Sequence, residues 1–340
     1  MKLNNYKGTN EKKDNNQNKI IKNDDKETTV FNKSYMVMIL ALISCFLWGS
    51  AFPSVKVGYE IFSIAGDDTY QKIIFAGFRF LISSIMIFIF CMVTGRTLKV
   101  KKEDLPKVAF LGVVQTSIQY VFFYIGLSNT TGTKGSILAA TTTFFSVIIA
   151  HFFYKEDKLS FRRIVGVVLG FMGVAIVNMN GGKIQGGFTF TGEGFVVISS
   201  LVGALAGIYT KKIAKDISPF AISAYQLFIG SIFLILSGFM GGARGLNFTP
   251  KGAVLLLYLG FISAAAFSIW TVLLKYNGVG KVTIYKFSIP LFGVFLSYVF
   301  LGERSLGTNV VIAVILVILG IILINTEPKV KFEDGVIADK

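Results

Sequence analysis

Acidic residues are scarce in this chain. From the second long apolar run to the last one, every Asp and Glu can be placed in a loop or at the end of a run. The sequence has 19 Asp and Glu against 34 Lys and Arg, and charged residues make up only 16% of 340 positions. A soluble protein carries about 25% charged residues. One histidine and two cysteines are also too few for a metal cluster or a disulfide framework. Neither a metal centre nor any other cofactor is predicted.

Long apolar runs occupy most of the chain, of which 53% is hydrophobic. Runs of about 20 residues recur, and each is long enough to cross a hydrocarbon core of about 30 Å as a helix. The sequence therefore predicts an all-α integral membrane protein with ten transmembrane helices, at 34–57, 71–94, 106–127, 132–154, 162–179, 192–212, 218–240, 250–274, 281–301 and 307–325.

Basic residues are concentrated in the two terminal tails and in every second connection between the runs. The positive-inside rule then predicts a multi-pass protein of the cell membrane with both termini cytoplasmic. This bias accounts for the net charge of +15, and without a recognition motif no nucleic-acid partner is predicted. Residues 1–33 are polar and predicted to be a disordered cytoplasmic tail, and 327–340 form a second tail.

One segment of the sequence returns 147 positions later. Glu156–Asn178 reads EDKLSFRRIVGVVLGFMGVAIVN, and Glu303–Asn325 reads ERSLGTNVVIAVILVILGIILIN. The same offset pairs Arg79 with Gln226. It predicts two repeats, 34–180 and 190–326, each with five spans. Because five is odd, the second repeat enters the membrane inverted, which is the geometric basis of alternating access in many carriers. The alternative interpretation of the repeat is that the duplication only stabilises the fold and has no role in transport.

Short motifs occur in three of the spans. They are Trp48-Gly49-Ser50-Ala51-Phe52, Phe78-Arg79-Phe80-Leu81, and Pro290-Leu291-Phe292 followed by Leu301-Gly302-Glu303-Arg304. This pattern resembles the drug/metabolite transporter superfamily, specifically chains with two tandem EamA domains. The resemblance implies ten spans, with the fifth and tenth peripheral, and transport of amino acids, sugars, nucleotide derivatives or other metabolites.

Two basic residues are predicted to lie within the membrane, whereas no acidic residue is. Arg79 is about two turns into the second span, and Lys286 is about one turn into the ninth. A pump for lipophilic cations would ordinarily use a buried acid, so a zwitterionic or neutral metabolite is favoured, and anions come next. Arg79 is alternatively an interhelical hydrogen-bonding residue, and Lys286 alternatively extends to the membrane surface.

Other polar and aromatic side chains within the spans are candidates for the substrate path, with helix packing as the alternative for each. Two prolines within the spans remove backbone hydrogen bonds and are predicted hinges, Pro53 and Pro290. The path candidates besides Arg79 and Lys286 are Trp48, Gln115, Gln119, Tyr120, Tyr124, Thr142, Tyr209, Gln226 and Trp270.

These features predict a secondary transporter for small polar metabolites, most of all amino acids and related zwitterionic or anionic compounds, in the direction of export. Its partners are a small-molecule substrate and the lipid bilayer, and a homodimer is left open. A membrane receptor or assembly protein is the alternative outside transport. A carrier of nucleotide sugars, sugar phosphates or lipid-linked sugars is the alternative within the fold. Catalytic clusters and nucleotide loops are not evident, so an enzyme is not predicted.

Overall fold

The structure is a computed structural model and describes residues 30–130, 135, 138–178, 188–301 and 308–326. Both predicted tails lie outside these ranges, except for residues 30–33. Among the described residues the regular elements are helices and there is no strand. The main helices are α1 (Ser34–Ile61), α2 (Thr69–Thr94), α3 (Leu105–Ser128), α4 (Thr141–Phe153), α5 (Phe161–Asn178), α6 (Phe190–Ile213), α7 (Pro219–Met240), α8 (Pro250–Tyr276), α9 (Ser288–Leu301) and α10 (Thr308–Asn325).

Eight helical stretches of the described chain are long and apolar enough to cross a membrane. Helix α4 is apolar but shorter, and most of the predicted start of the fourth span, residues 131–134 and 136–137, lies outside the described residues. The predicted all-helical membrane fold is therefore confirmed, whereas a count of ten crossings stays a prediction.

Several helices begin where the sequence supplies a cap or a proline. Asp68 Oδ1 accepts a hydrogen bond of 2.9 Å from Gln71 N at the start of α2. Pro250 is the first residue of α8, and Thr249 Oγ1 accepts a hydrogen bond of 3.1 Å from the backbone N–H of Gly252. Such groups satisfy N–H donors that a helix start leaves without intrahelical partners.

Two predicted spans are not continuous α-helices. Helix α3 contains a π-helical turn at Gly112–Ile118. The predicted ninth span is divided into a short helix at Val279–Thr283, a 3₁₀ turn at Ile284–Phe287 and then α9. Pro290 consequently lies in the first turn of α9, where its missing N–H removes no intrahelical bond, and not in a helix interior as expected.

Helix packing forms a closed ring in the order α1, α8, α2, α7, α3, α6, α4 and α9, and α9 contacts α4 through the short helix before it. Neighbours in this ring come alternately from the first and second halves of the chain. If each helix of the first half changes places with its equivalent in the second half, such as α1 with α6 and α2 with α7, every contact in the ring becomes another contact of the ring or stays the same. This is the symmetry that two inverted repeats require. Helices α5 and α10 pack chiefly against each other.

Candidate functional site

Five aromatic side chains from four helices meet inside the ring, and we call them the central aromatic cluster: Trp48, Phe80, Tyr120, Phe267 and Trp270. Ring centroids lie 5.2 Å apart for Trp48 and Trp270, and 5.5 Å apart for Trp48 and Phe267. Phe80 lies 6.1 Å from Phe267 and 4.7 Å from Tyr120. These distances are typical of favourable aromatic pairs. The cluster thus joins helices of both halves.

Lys286 lies at one end of the central aromatic cluster. Its Nζ is 5.0 Å from the ring centre of Trp270 and 5.9 Å from that of Trp48. An ammonium group at this distance from an indole is attracted by the negative face of the ring. The 3₁₀ turn before α9 carries Lys286, so the break in the ninth span positions this cation beside the rings.

Arg79 lies at the other end of the cluster and is 6% exposed. Its Nε donates a hydrogen bond of 2.8 Å to Ser263 Oγ on α8, and its Cζ is 5.4 Å from the ring centre of Phe80. Among the described residues, no acidic side chain pairs with Arg79 or Lys286. Arginine has five N–H donors, so Ser263 meets only part of the hydrogen-bonding capacity of Arg79.

Two further tyrosines lie beside Arg79. Tyr59 and Tyr124 are both close enough to Arg79 to be affected by its charge, and the ring centroid of Tyr124 lies 6.3 Å from that of Tyr120. Tyr124 was predicted, whereas Tyr59 lies beyond the predicted end of the first span. Its position, 11 residues after Trp48, corresponds to three helical turns and to the same helix face. That spacing was the signal that could have identified it.

The remaining candidates have contacts with residues outside the central aromatic cluster. Gln115 Oε1 accepts a 3.4 Å hydrogen bond from Thr210 on α6, and Gln119 packs against Gly203 of the same helix. Thr142 Oγ1 donates to Ala139 O of its own chain segment at 2.8 Å. Tyr209 packs edge-on against Phe110, with ring centroids 5.4 Å apart. Gln226 is buried on α7 against Gly112 of α3.

The structure therefore brings six predicted residues together: Trp48, Arg79, Tyr120, Tyr124, Trp270 and Lys286. Sequence reasoning missed Phe80, Phe267 and Ser263. The repeat offset could have identified Phe267, which is 147 positions after the predicted Tyr120.

Polar contacts between the two halves close the ring at the face where α1 begins. The distribution of basic residues predicts that this face is cytoplasmic. Asp157 Oδ2 accepts a 2.7 Å hydrogen bond from Val279 N, and Asp157 Oδ1 accepts one of 3.2 Å from Gly280 N. Arg163 Nη1 lies 3.4 Å from the same carboxylate. We call these contacts the Asp157 latch. They hold the connection between α4 and α5 to the helix that precedes α9.

The chemistry of the site is that of binding. Two cations flank a bed of aromatic rings, and the described residues contain no group of three or more His, Cys, Asp or Glu able to hold a metal ion. The cations are able to compensate carboxylate or phosphate charge, and the rings are able to contact apolar parts of a ligand.

Two curated proteins similar to this chain are named as a transporter and an exporter. An uncharacterized transporter of Bacillus subtilis, YvbV, is 25% identical over 88% of this chain and 94% of its own length. A probable terminal-alkyne amino-acid exporter of Streptantibioticus cattleyicolor is 25% identical over 80% of this chain and 86% of its own. A solved crystal structure matches with a TM-score of 0.70 at 14% identity, over 85% of this chain and 96% of that chain, which shows a shared fold.

The EamA-like transporter family matches the chain twice, at residues 35–179 and 190–326. These two matches cover most of the sequence, including every helix that contributes to the central aromatic cluster. The chain is a member of the EamA-like transporter family.

Proposed function

We propose that this protein is a secondary transporter that exports small zwitterionic or anionic metabolites, amino acids foremost, by alternating access. The observation that carries the proposal is the pair of cations at the two ends of the central aromatic cluster, neither of which has an acidic partner among the described residues.

An uncompensated cation in the middle of a membrane protein is costly. Insertion scales give about 2.5–3.5 kcal/mol for arginine or lysine at the centre of a transmembrane helix. Arg79 keeps guanidinium N–H groups in excess of its bond to Ser263. A substrate carboxylate that bound them would supply the missing negative charge, and bidentate pairing is the favoured geometry for arginine and carboxylate.

The aromatic rings suit the rest of such a substrate. Trp48 and Trp270 lie between the two cations and offer flat apolar surface, so a small side chain can be desolvated without an unmet polar group. A lipophilic cation would meet two positive charges at the same place. The site therefore favours zwitterions and anions over cations.

The arrangement of the ring supports alternating access. Each ring helix is flanked by helices of the other half, so a rocking of one half against the other alters every contact in the ring together. The Asp157 latch closes the face where α1 begins, and it has to open for substrate to enter or leave there. The name of one relative, a probable terminal-alkyne amino-acid exporter, supports amino acids as substrates and export as the direction.

The test is counterflow of labelled amino acids in proteoliposomes that contain the purified protein, with Arg79→Ala beside the wild type. Lys56→Ala is the matched control because it removes a cation from the exposed outer part of α1. Saturable amino-acid counterflow that Arg79→Ala abolishes and Lys56→Ala retains supports the proposal. If only nucleotide sugars or sugar phosphates are transported, these compounds would replace amino acids as the proposed substrate class. Absence of any flux would favour the receptor alternative.

A further inference from the structure

The Arg79–Ser263 pair has a counterpart that is related to it by the repeat of the chain. The 147-residue offset of the repeats relates Arg79 of α2 to Gln226 of α7, and it relates Thr116 of α3 to Ser263 of α8. Helices α2 and α8 are neighbours in the ring, and so are the equivalent helices α7 and α3. Gln226 and Thr116 are therefore the repeat equivalents of Arg79 and Ser263, and each pair combines one residue from each half of the chain.

Both pairs lie close to the centre of the repeat symmetry. Close packing of α2 on α7 matches Gly77 with Ile235, and Ile74 with Gly238. Continuation of this antiparallel match puts Ser83 within one residue of the level of Gly230. These two positions are themselves related by the repeat offset, so they mark the pseudo-two-fold centre.

Arg79 and Gln226 each lie four residues, about 6 Å or one helical turn, from that level and on opposite sides of it. The side chain of Arg79 extends toward the centre, because Ser263 is one turn past Gly260, and Gly260 packs beside Ile82 and Ser83. Thr116 likewise contacts Gly230, and Gln226 packs beside Gly112, one turn before Thr116. The Arg79–Ser263 bond and the Thr116 side chain thus both lie near this centre.

The pairs differ in how their polar atoms are satisfied. Arg79 and Ser263 are hydrogen bonded to each other. Gln226 is 1% exposed and Thr116 is fully buried, yet Gln226 Oε1 and Thr116 Oγ1 have no hydrogen-bond partner among the described residues. Such unpaired buried atoms are uncommon in native proteins and call for an explanation.

We propose that Gln226 and Thr116 form the subsite for the ammonium group of an amino-acid substrate, opposite the Arg79–Ser263 subsite for its carboxylate. The inference rests on the proposed function and extends it. Gln226 Oε1 and Thr116 Oγ1 have no partners among the described residues and are able to accept hydrogen bonds from an ammonium group, while the substrate carboxylate is drawn to the charged guanidinium of Arg79. The two pairs that the repeat relates have diverged so that each binds one end of a zwitterion.

The test compares an amino acid with its desamino carboxylate as competitors of amino-acid counterflow. The probe is the labelled amino acid with the highest counterflow in the wild type, and the competitors are the same unlabelled amino acid and its desamino analogue. The variants Gln226→Leu and Thr116→Val, of which the second is isosteric, remove the unpaired oxygens. We expect the half-inhibitory concentration of the amino acid to rise about tenfold, with that of the desamino carboxylate within twofold of the wild type.

Three further variants separate recognition from packing. Thr116→Ser keeps the hydroxyl and is expected to keep the wild-type preference for the amino acid. Gln226→Glu adds a negative charge and is expected to weaken inhibition by the desamino carboxylate while that by the amino acid is maintained. Thr94→Val is the control, since the Thr94 hydroxyl donates to Phe90 O of its own helix.

The outcomes distinguish this inference from the proposed function. Wild-type counterflow with equal shifts for both competitors, or with no shift, would overturn the ammonium subsite and leave the transporter intact. If Gln226→Leu or Thr116→Val does not fold, a desamino analogue that inhibits Gln226→Glu as it does the wild type, relative to the amino acid, would also overturn it. No saturable wild-type counterflow of amino acids would overturn both proposals.

Discussion

Two buried charges, Asp157 and Arg79, are treated very differently by this protein. Asp157 has three protein partners, the backbone N–H groups of Val279 and Gly280 and the guanidinium of Arg163. Arg79 has one hydrogen bond, to Ser263, and no acidic partner among the described residues. A charge whose bonding capacity is filled by the protein holds structure together. A charge left partly unfilled at the centre of the ring is available to a ligand.

The largest expected effect on stability is that of Asp157→Ala. Removal of one partner of a buried charge network typically costs about 3–5 kcal/mol, because the remaining groups lose their compensation. We expect a clear fall in the midpoint of thermal unfolding in detergent, with a smaller fall for Asp157→Asn. An unchanged midpoint for Asp157→Ala would show that the Asp157 latch does not stabilise the observed state.

Arg79→Ala is expected to act on transport and not on stability. Loss of a charge-assisted, bidentate contact corresponds to about 2–3 kcal/mol, or roughly a hundredfold lower kcat/KM for amino-acid transport. The unfolding midpoint should stay at or above that of the wild type, because an incompletely compensated charge is removed. A large fall in that midpoint would instead make Arg79 an interhelical structural residue.

Lys286→Met is expected to have an intermediate effect. The ammonium group lies over Trp270 and Trp48. It contributes a positive charge, but it lacks the rigid, planar set of N–H donors by which arginine binds a carboxylate. We expect about a tenfold rise in the KM for an anionic amino acid and a smaller rise for a zwitterionic one. Equal KM values in mutant and wild type for both classes would exclude Lys286 from substrate binding.

Trp270→Leu is expected to have the smallest effect of the site variants. An aromatic contact contributes about 0.5–1.5 kcal/mol beyond its buried area, so affinity should fall by up to about tenfold for amino acids with large apolar side chains. Glycine transport should change little. The contrast between large and small amino acids in the same competition assay is the readout, and equal losses would argue for a packing role of Trp270.

Sequence reasoning predicted the helices well because hydrophobic runs of membrane length are a strong signal. It also identified Arg79, Lys286, Trp48 and Trp270, since charges and indoles within such runs need a reason. It did not predict which rings meet. Those contacts depend on how helices of the two halves alternate around the ring, and only the repeat offset, applied to Tyr120, contains a hint of it.

The breaks within spans were also beyond sequence reasoning. The 3₁₀ turn that carries Lys286 and the π-helical turn in α3 occur in apolar runs with no proline at the break itself. Their position depends on tertiary contacts such as the bond from Val279 N to Asp157, 122 residues away in the chain. Local patterns do not contain such contacts.

The measurement that tests the central claim most directly uses the two tryptophans of the chain. Both of them, Trp48 and Trp270, belong to the central aromatic cluster, so intrinsic tryptophan fluorescence reports on this site alone. Titration of the purified protein with the transported amino acid should give a saturable change in fluorescence. We expect Arg79→Ala to abolish this change and Lys56→Ala to retain it. A titration without response in the wild type, or with an equal response in Arg79→Ala, would contradict the account.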